Sequence, residues 1–220
     1  MKRVLIFVIV VFSAILVAYF MTLNTKKPIP VINPIELNAE MVDSSLHSVG
    51  MNHKIGKFSF LNQNGKLITD KDLIGKVFVA EYFFTTCGTI CPMMNIQMQR
   101  VQSAFLGNDF FKILSFTVNP EVDSVSQMKI YAEAHHANEN QWHFLTGKKT
   151  ELYSLARKSF FVLKPAEAQN LGDAGGDFIH TNNFVLIDEK MRIRGYYDGT
   201  SSKEVDQLIK DVDQLIKEKN

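Results

Sequence analysis

"VFVAEYFFTTCGTICPMMNIQMQR", residues 77–100, decides how this chain is read. Its first eight residues are nearly all apolar and rich in aromatic and β-branched types, the composition of a strand buried on both faces of a sheet. From Pro92 onward apolar residues return at Met94, Met98, Val101 and Phe105, which is helical spacing. The two cysteines of the protein, Cys87 and Cys91, fall at the junction, with Pro92 directly after.

The pattern continues on both sides. Upstream, Lys57-Phe58-Ser59-Phe60-Leu61 alternates and Asn64-Gly65 is a hairpin turn signal, so two short strands are expected. Downstream, "KILSFTV" (112–118) reads as another buried strand. "DSVSQMKIYAEAHHA" reads as a helix with Asp123 and Ser124 as candidate caps. "TELYSLARKSF" gives a further helix, with Thr150 as its candidate cap, and "NFVLIDEKMRIRGYYDG" a strand, a turn and a strand. The C-terminal "VDQLIKDVDQLIK" repeats after seven residues and sets Val205, Leu208, Ile209, Val212, Leu215 and Ile216 on one stripe. Two heptads are too few to argue a coiled coil, so a final helix packed on the sheet is expected. Strands alternating with helices predict an α/β fold. Open sheets of that kind place their chemistry where strands end, and the cysteines stand at such an end.

The N-terminus sets the compartment. Lys2 and Arg3 precede twenty residues, 4–23, that carry no charge. As a helix they would reach about 30 Å, the thickness of a bilayer core. A cleaved signal peptide would have a shorter apolar run ending in small residues, whereas this run passes through Ala18-Tyr19-Phe20-Met21. We therefore expect a membrane anchor over 1–23, a proline-bearing tether over 24–50 (Pro28, Pro30, Pro34) and a compact domain over 51–220. The absence of an Arg-rich presequence favours a bacterial inner membrane, with the domain on the periplasmic or extracytoplasmic side. A formal net charge of +1 gives no electrostatic case for a nucleic-acid partner.

Three chemistries are open to two cysteines so placed. A static disulfide would close a very short loop and stabilise little. A redox pair profits from a helix N-terminus, where backbone N–H groups and the dipole favour thiolate, so Cys91-Pro92 at the helix start would lower thiol pKa values. A metal clamp of two thiolates suits Cu(I) or Zn(II). A closed zinc site wants four ligands and the chain has no further cysteine. Cu(I) accepts two thiolates and one more donor, for which histidine is the natural choice. His180 stands out, after the Gly-rich "LGDAGGD" and just before a strand, where a loop can cross the same sheet edge. His47 lies in the tether and His53 near the domain start; His135 and His136 read as surface, and His143 beside Trp142 as structural. Met93, Met94 and Met98 are soft donors but fit a core stripe better.

"FFTTCGTICPMM", "TVNPEVDSVSQMKIYAEAH", "WHFLTG" and "FIHTNNFVLID", in that order, resemble the Sco/SenC family over residues 52–218. The resemblance implies a thioredoxin-like fold, a central mixed sheet flanked by helices, carried on an N-terminal transmembrane helix. It implies copper held by Cys87, Cys91 and His180, matching the family's Cys-x-x-x-Cys-Pro and distal histidine. Two departures stand out. Gly88-Thr89 replaces the family's usual Pro-Asp, and Asn119-Pro120-Glu121-Val122-Asp123 keeps only the second acid of its Asp-Pro-x-x-Asp.

The function so implied is a metallochaperone that delivers copper to the dinuclear copper centre of cytochrome c oxidase during assembly, working as a monomeric domain beside the copper-receiving subunit. The alternative is a thiol–disulfide oxidoreductase, with Cys87 and Cys91 as the redox pair, that reduces cysteines of that subunit or of other extracytoplasmic clients. A peroxidase on the same fold is the third reading, and it would need an arginine near the motif, for which Arg100 is nearest.

Overall fold

Seven strands form one sheet in the order β2-β1-β5-β4-β3-β6-β7, in a computed structural model that describes residues 2–23, 27–37, 42, 51–162 and 181–218. The strands are β1 (Ser59–Asn62), β2 (Leu67–Thr69), β3 (Val77–Phe83), β4 (Phe111–Thr117), β5 (Trp142–Thr146), β6 (Asn183–Ile187) and β7 (Ile193–Asp198). β3, β4 and β5 run parallel, while β1, β2, β6 and β7 make antiparallel pairs on either side. The sheet is therefore mixed, as the resemblance implies. Helices are α1 (Lys2–Leu23), α2 (Cys91–Ala104), α3 (Val125–Ala134), α4 (Lys149–Lys158) and α5 (Ser202–Glu218).

β3 lies in the interior because all seven of its residues are buried, and only a strand covered on both faces can satisfy that. Alternate residues serve two cores. Phe78, Ala80 and Tyr82 face a cluster with Phe58, Phe60, Phe116, Phe160 and the buried face of α4. Val77, Val79 and Phe83 face a second cluster built from Met94, Met98 and Val101 of α2, Met128 and Ala132 of α3, and Val205, Leu208, Val212 and Leu215 of α5. The C-terminal stripe is thus spent on the sheet, as expected, with Ile209 and Ile216 packed at its margin. Met94 and Met98 are core, whereas Met93 is exposed.

The β1–β2 turn forms where Asn64-Gly65 predicts it. Gly65 has φ +70°, and the Asn62 side-chain carbonyl accepts hydrogen bonds from the Asn64 and Lys66 amides. Ser124 caps α3 by accepting from the Gln127 amide. Two details differ from expectation. The cap position of α4 is Lys148, so Thr150 lies inside the first turn. β5 was not anticipated as a strand: "WHFLT" is short and without a clear period, and its pairing with β4 and β1 distinguishes it from a loop.

Residues 27–37 of the segment expected to tether the domain lie against it. The Ile32 amide donates to the Ile193 carbonyl, and Arg194 donates to the carbonyls of Pro30 and Ile29. Arg194 and Arg192 are held in turn by the fully buried Asp188. The first turn of chain toward α1 therefore joins the sheet at the start of β7, the end opposite Cys87. Side chains of α1 are described at 2–4 and 6–17; among the described residues no helix is long and apolar enough to cross a membrane.

Candidate metal centre

The two thiols stand where β3 gives way to α2. A tight turn, closed by the Cys87 amide donating to the Phe84 carbonyl at 3.2 Å, carries the chain off the strand. Cys91 is the first residue of α2, with Pro92 in the first turn, where its missing N–H costs nothing. Both cysteines are free thiols. Cys87 is half-buried, whereas Cys91 is 3% exposed and packs into the core formed by α2, α3 and α5.

Their electrostatics differ, which corrects the expectation of thiolate character at the helix start. Burial pushes the Cys91 thiol well up, and the neighbouring Cys87 sulfur adds to the shift. At Cys87 burial acts in the same sense, but hydrogen bonds from the Cys91 thiol, from the Thr89 and Cys91 amides and from the Thr89 hydroxyl outweigh it. The Cys87 thiol is held below its ordinary value, with Thr89 Oγ1 at 3.7 Å from Sγ. Thr89, which stands where the family usually has an acid, thus offers this sulfur a neutral donor instead of a second negative charge.

The loop that carries Cys87 is tied down by a buried carboxylate. Asp123, with no exposure, accepts hydrogen bonds from the Thr85 amide, from Thr85 Oγ1 and from Thr117 Oγ1. It joins the ends of β3 and β4 two residues before Cys87. Asn119, at the position of the missing acid, serves the same turn through its carbonyl, which accepts from the Val122 and Asp123 amides. One turn into α2, Asn95 Nδ2 donates to Tyr131 Oη at 2.5 Å and lies 3.3 Å from His135 Nε2, fixing α2 against α3.

Beneath the pair is a group the sequence reading passed over. Glu81, 1% exposed, lies on the α2 side of β3 and accepts from Ser115 Oγ at 2.6 Å; that hydroxyl accepts in turn from Trp142 Nε1 at 2.8 Å. Burial pushes the Glu81 carboxyl up to about 7, against the opposing Ser115 bond. A lone charge inside an otherwise apolar strand was the available signal.

The remaining candidates sort clearly. His180 lies outside the described residues. Thr181 after it is buried, and its hydroxyl accepts from the Asn183 amide at the start of β6. Among the described residues no group of three or more His, Cys, Asp or Glu is assembled for a metal. His53 is bound to the Ser159 carbonyl, and His143, half-buried, lies at the start of β5, at the end of the sheet away from the thiols. Arg100 is engaged by Asp206 and Gln97. What the described site offers is two soft sulfurs, one half-buried on the loop and one buried at the start of α2. That donor set fits Cu(I).

The family model described as SCO1/SenC matches residues 47–217. This chain belongs to the SCO1/SenC family. The SCO1 protein homolog of Bacillus subtilis is 32% identical over 165 residues, 74% of this chain and 82% of that protein. The structure of BsSco, a member of the Sco family of cytochrome c oxidase assembly proteins in which a disulfide switch was identified, aligns with a TM-score of 0.63 at 32% identity, covering 75% of this chain and 94% of the other. Arabidopsis thaliana ScoI, solved with copper bound, aligns with a TM-score of 0.57 at 27% identity, covering 72% and 98%. The thioredoxin-like architecture is that of these Sco structures.

Proposed function

We propose that this protein binds Cu(I) through Cys87, Cys91 and His180 and delivers it to the dinuclear copper centre of cytochrome c oxidase during assembly. The observation that carries the reading is the free, adjacent thiol pair at the carboxyl end of β3. β6 supports His180 as the third donor. It runs antiparallel to β3, so Asn183, three residues after His180, opens β6 at the end of the sheet where β3 delivers the thiols. Copper in Arabidopsis ScoI and the oxidase-assembly role of the Sco family of BsSco support the cargo and the client. Two thiolates and an imidazole leave room for an incoming donor to bind before an old one leaves, so transfer needs no free ion. Because the thiols must lose protons to bind, loading weakens as pH falls.

α1 acts as the anchor that holds the site beside this membrane client, in the inner membrane of a bacterium with the domain outside the cytoplasm. Val4, Ile6, Phe7, Val8, Ile9 and Phe12 each stand more than half exposed along it. Such a surface needs an apolar environment. Tethering raises the local concentration of the site near its partner.

The asymmetry of the thiols favours a second reading. Cys87, the accessible sulfur, attacks a client disulfide, and buried Cys91 then displaces the client's thiol, leaving the client reduced and the pair as a disulfide. A His180→Ala variant separates the two. Lost copper affinity with intact disulfide exchange supports the chaperone, and unchanged copper binding removes His180 from the ligand set.

A further inference from the structure

At the end of the sheet opposite the thiols, the β1–β2 turn and the starts of β4 and β5 enclose a cavity of about 380 Å³. Lys66, Lys76 and Lys112 line it, with the side chains of Asn62 and His143. Among the described residues none of these lysines has a carboxylate within ion-pair distance. The two acids of the lining accept hydrogen bonds from neutral donors, and Asp72 also feels the charges of Lys66 and Lys76. Asp72 accepts from the Thr69 amide and hydroxyl, and Glu139 accepts from Asn64 Nδ2. Two of the ammonium groups are instead steered by backbone oxygens: Lys112 Nζ donates to the Asn140 carbonyl at 2.7 Å, and Lys76 Nζ to the Asp72 carbonyl at 2.8 Å.

The field inside the cavity is positive. Burial, then the charges of Lys76 and Lys66, lower the Lys112 pKa, with Asp109 opposing. Burial, then Lys112, Lys66 and Lys76, push His143 down to about 4, with Asp72 opposing. Three lysines against two carboxylates, with His143 neutral, leave the lining at +1. The positive charge left over after the two carboxylates is relieved by a bound anion, which also gains charge-assisted hydrogen bonds.

We propose that this cavity binds a phosphate group. A phosphodiester of charge −1 balances the lining, and proton uptake by His143 would accommodate the second charge of a monoester. A carboxylate would satisfy the charge but would offer three lysines fewer acceptor oxygens. The group can come from a free phosphate or from a phospholipid headgroup. The second source rests on the anchor reading above: residues 27–37 join the domain at this same end of the sheet, which α1 would hold toward the bilayer.

The test uses the full chain in phosphatidylcholine nanodiscs, with the His143 imidazole titration followed by NMR. Inorganic phosphate added to these discs raises the His143 pKa if the site takes a free anion. Discs containing phosphatidylglycerol raise it without added phosphate if the site takes a headgroup. Either result supports the cavity, provided the Lys66→Gln, Lys112→Gln double variant weakens the effect at least about tenfold, the loss expected for charge-assisted bonds. No movement of His143 in either arm, or a movement the double variant keeps in full, overturns the proposal. A chain that does not enter discs at all contradicts the anchor reading, and the phosphate arm, run then without discs, still decides the site.

Discussion

Thr85 Oγ1 donates to the buried carboxylate of Asp123 at 2.5 Å, and the backbone amide of Thr85 donates to the same group. This contact fastens the loop that carries Cys87 to the end of β4, through Thr117, which donates to the same carboxylate. The accessible thiol is therefore presented by a fixed backbone.

Removing that acceptor should loosen the site. Asp123→Ala leaves the half-buried Thr85 amide and hydroxyl and the fully buried Thr117 hydroxyl without their partner, and each buried group so orphaned costs about 1–3 kcal/mol. We expect a loss of about 3 kcal/mol in urea unfolding and faster amide hydrogen exchange at 85–87, with Asp123→Asn closer to the parent because one carbonyl acceptor survives. Exchange at 85–87 unchanged in the alanine variant would show that the loop is held by something else.

Glu81 makes stability depend on pH. Its folded value of about 7 lies above the ordinary 4.5. The fold therefore favours the protonated acid, and this contribution is complete below about pH 4.5 and is lost as pH rises through about 7. The full swing is about 3 kcal/mol. Glu81→Gln, neutral throughout, should lose stability less steeply than the parent between about pH 5 and pH 8. His143, pushed down to about 4, acts in the opposite sense toward acid and cancels in the comparison of variant with parent. Parallel curves for the two proteins would mean that Glu81 is ionised in the fold.

The burial difference within the pair gives a chemical order. With Cys87 half-buried and Cys91 at 3% exposure, a brief treatment of the reduced protein with iodoacetamide should label Cys87 first. Peptide mass spectrometry reads the two sites separately. Equal labelling, or Cys91 ahead, would mean that the start of α2 opens in solution.

Much of this was legible in the sequence, for identifiable reasons. β3 and α2 announce themselves because a doubly buried strand and a one-sided helix have distinct apolar periods. Asn64-Gly65 marks its turn because the conformation demands glycine, and the repeated C-terminal stripe marks a helix with a single buried face. β5 escaped because five residues, three of them apolar, have no period of their own, and its identity comes from pairing with β4 and β1. The split in thiol character escaped as well. Helix position alone pointed to thiolate at Cys91, and the burial that reverses it comes from α3 and α5, far along the chain. Asp123 was visible as a candidate cap, but its bonds to Thr85 and Thr117 exist only once β3 and β4 lie side by side. The cationic cavity likewise assembles lysines from three separate segments, each unremarked in the linear sequence.

The copper account itself is tested most directly by anaerobic titration of the reduced full-length protein with Cu(I) in competition with a chromophoric chelator. The account predicts one tightly held equivalent, abolished in Cys87→Ser and in Cys91→Ser and markedly weakened in His180→Ala. A Cys87→Ser protein that still takes up one equivalent at the parent affinity would contradict it.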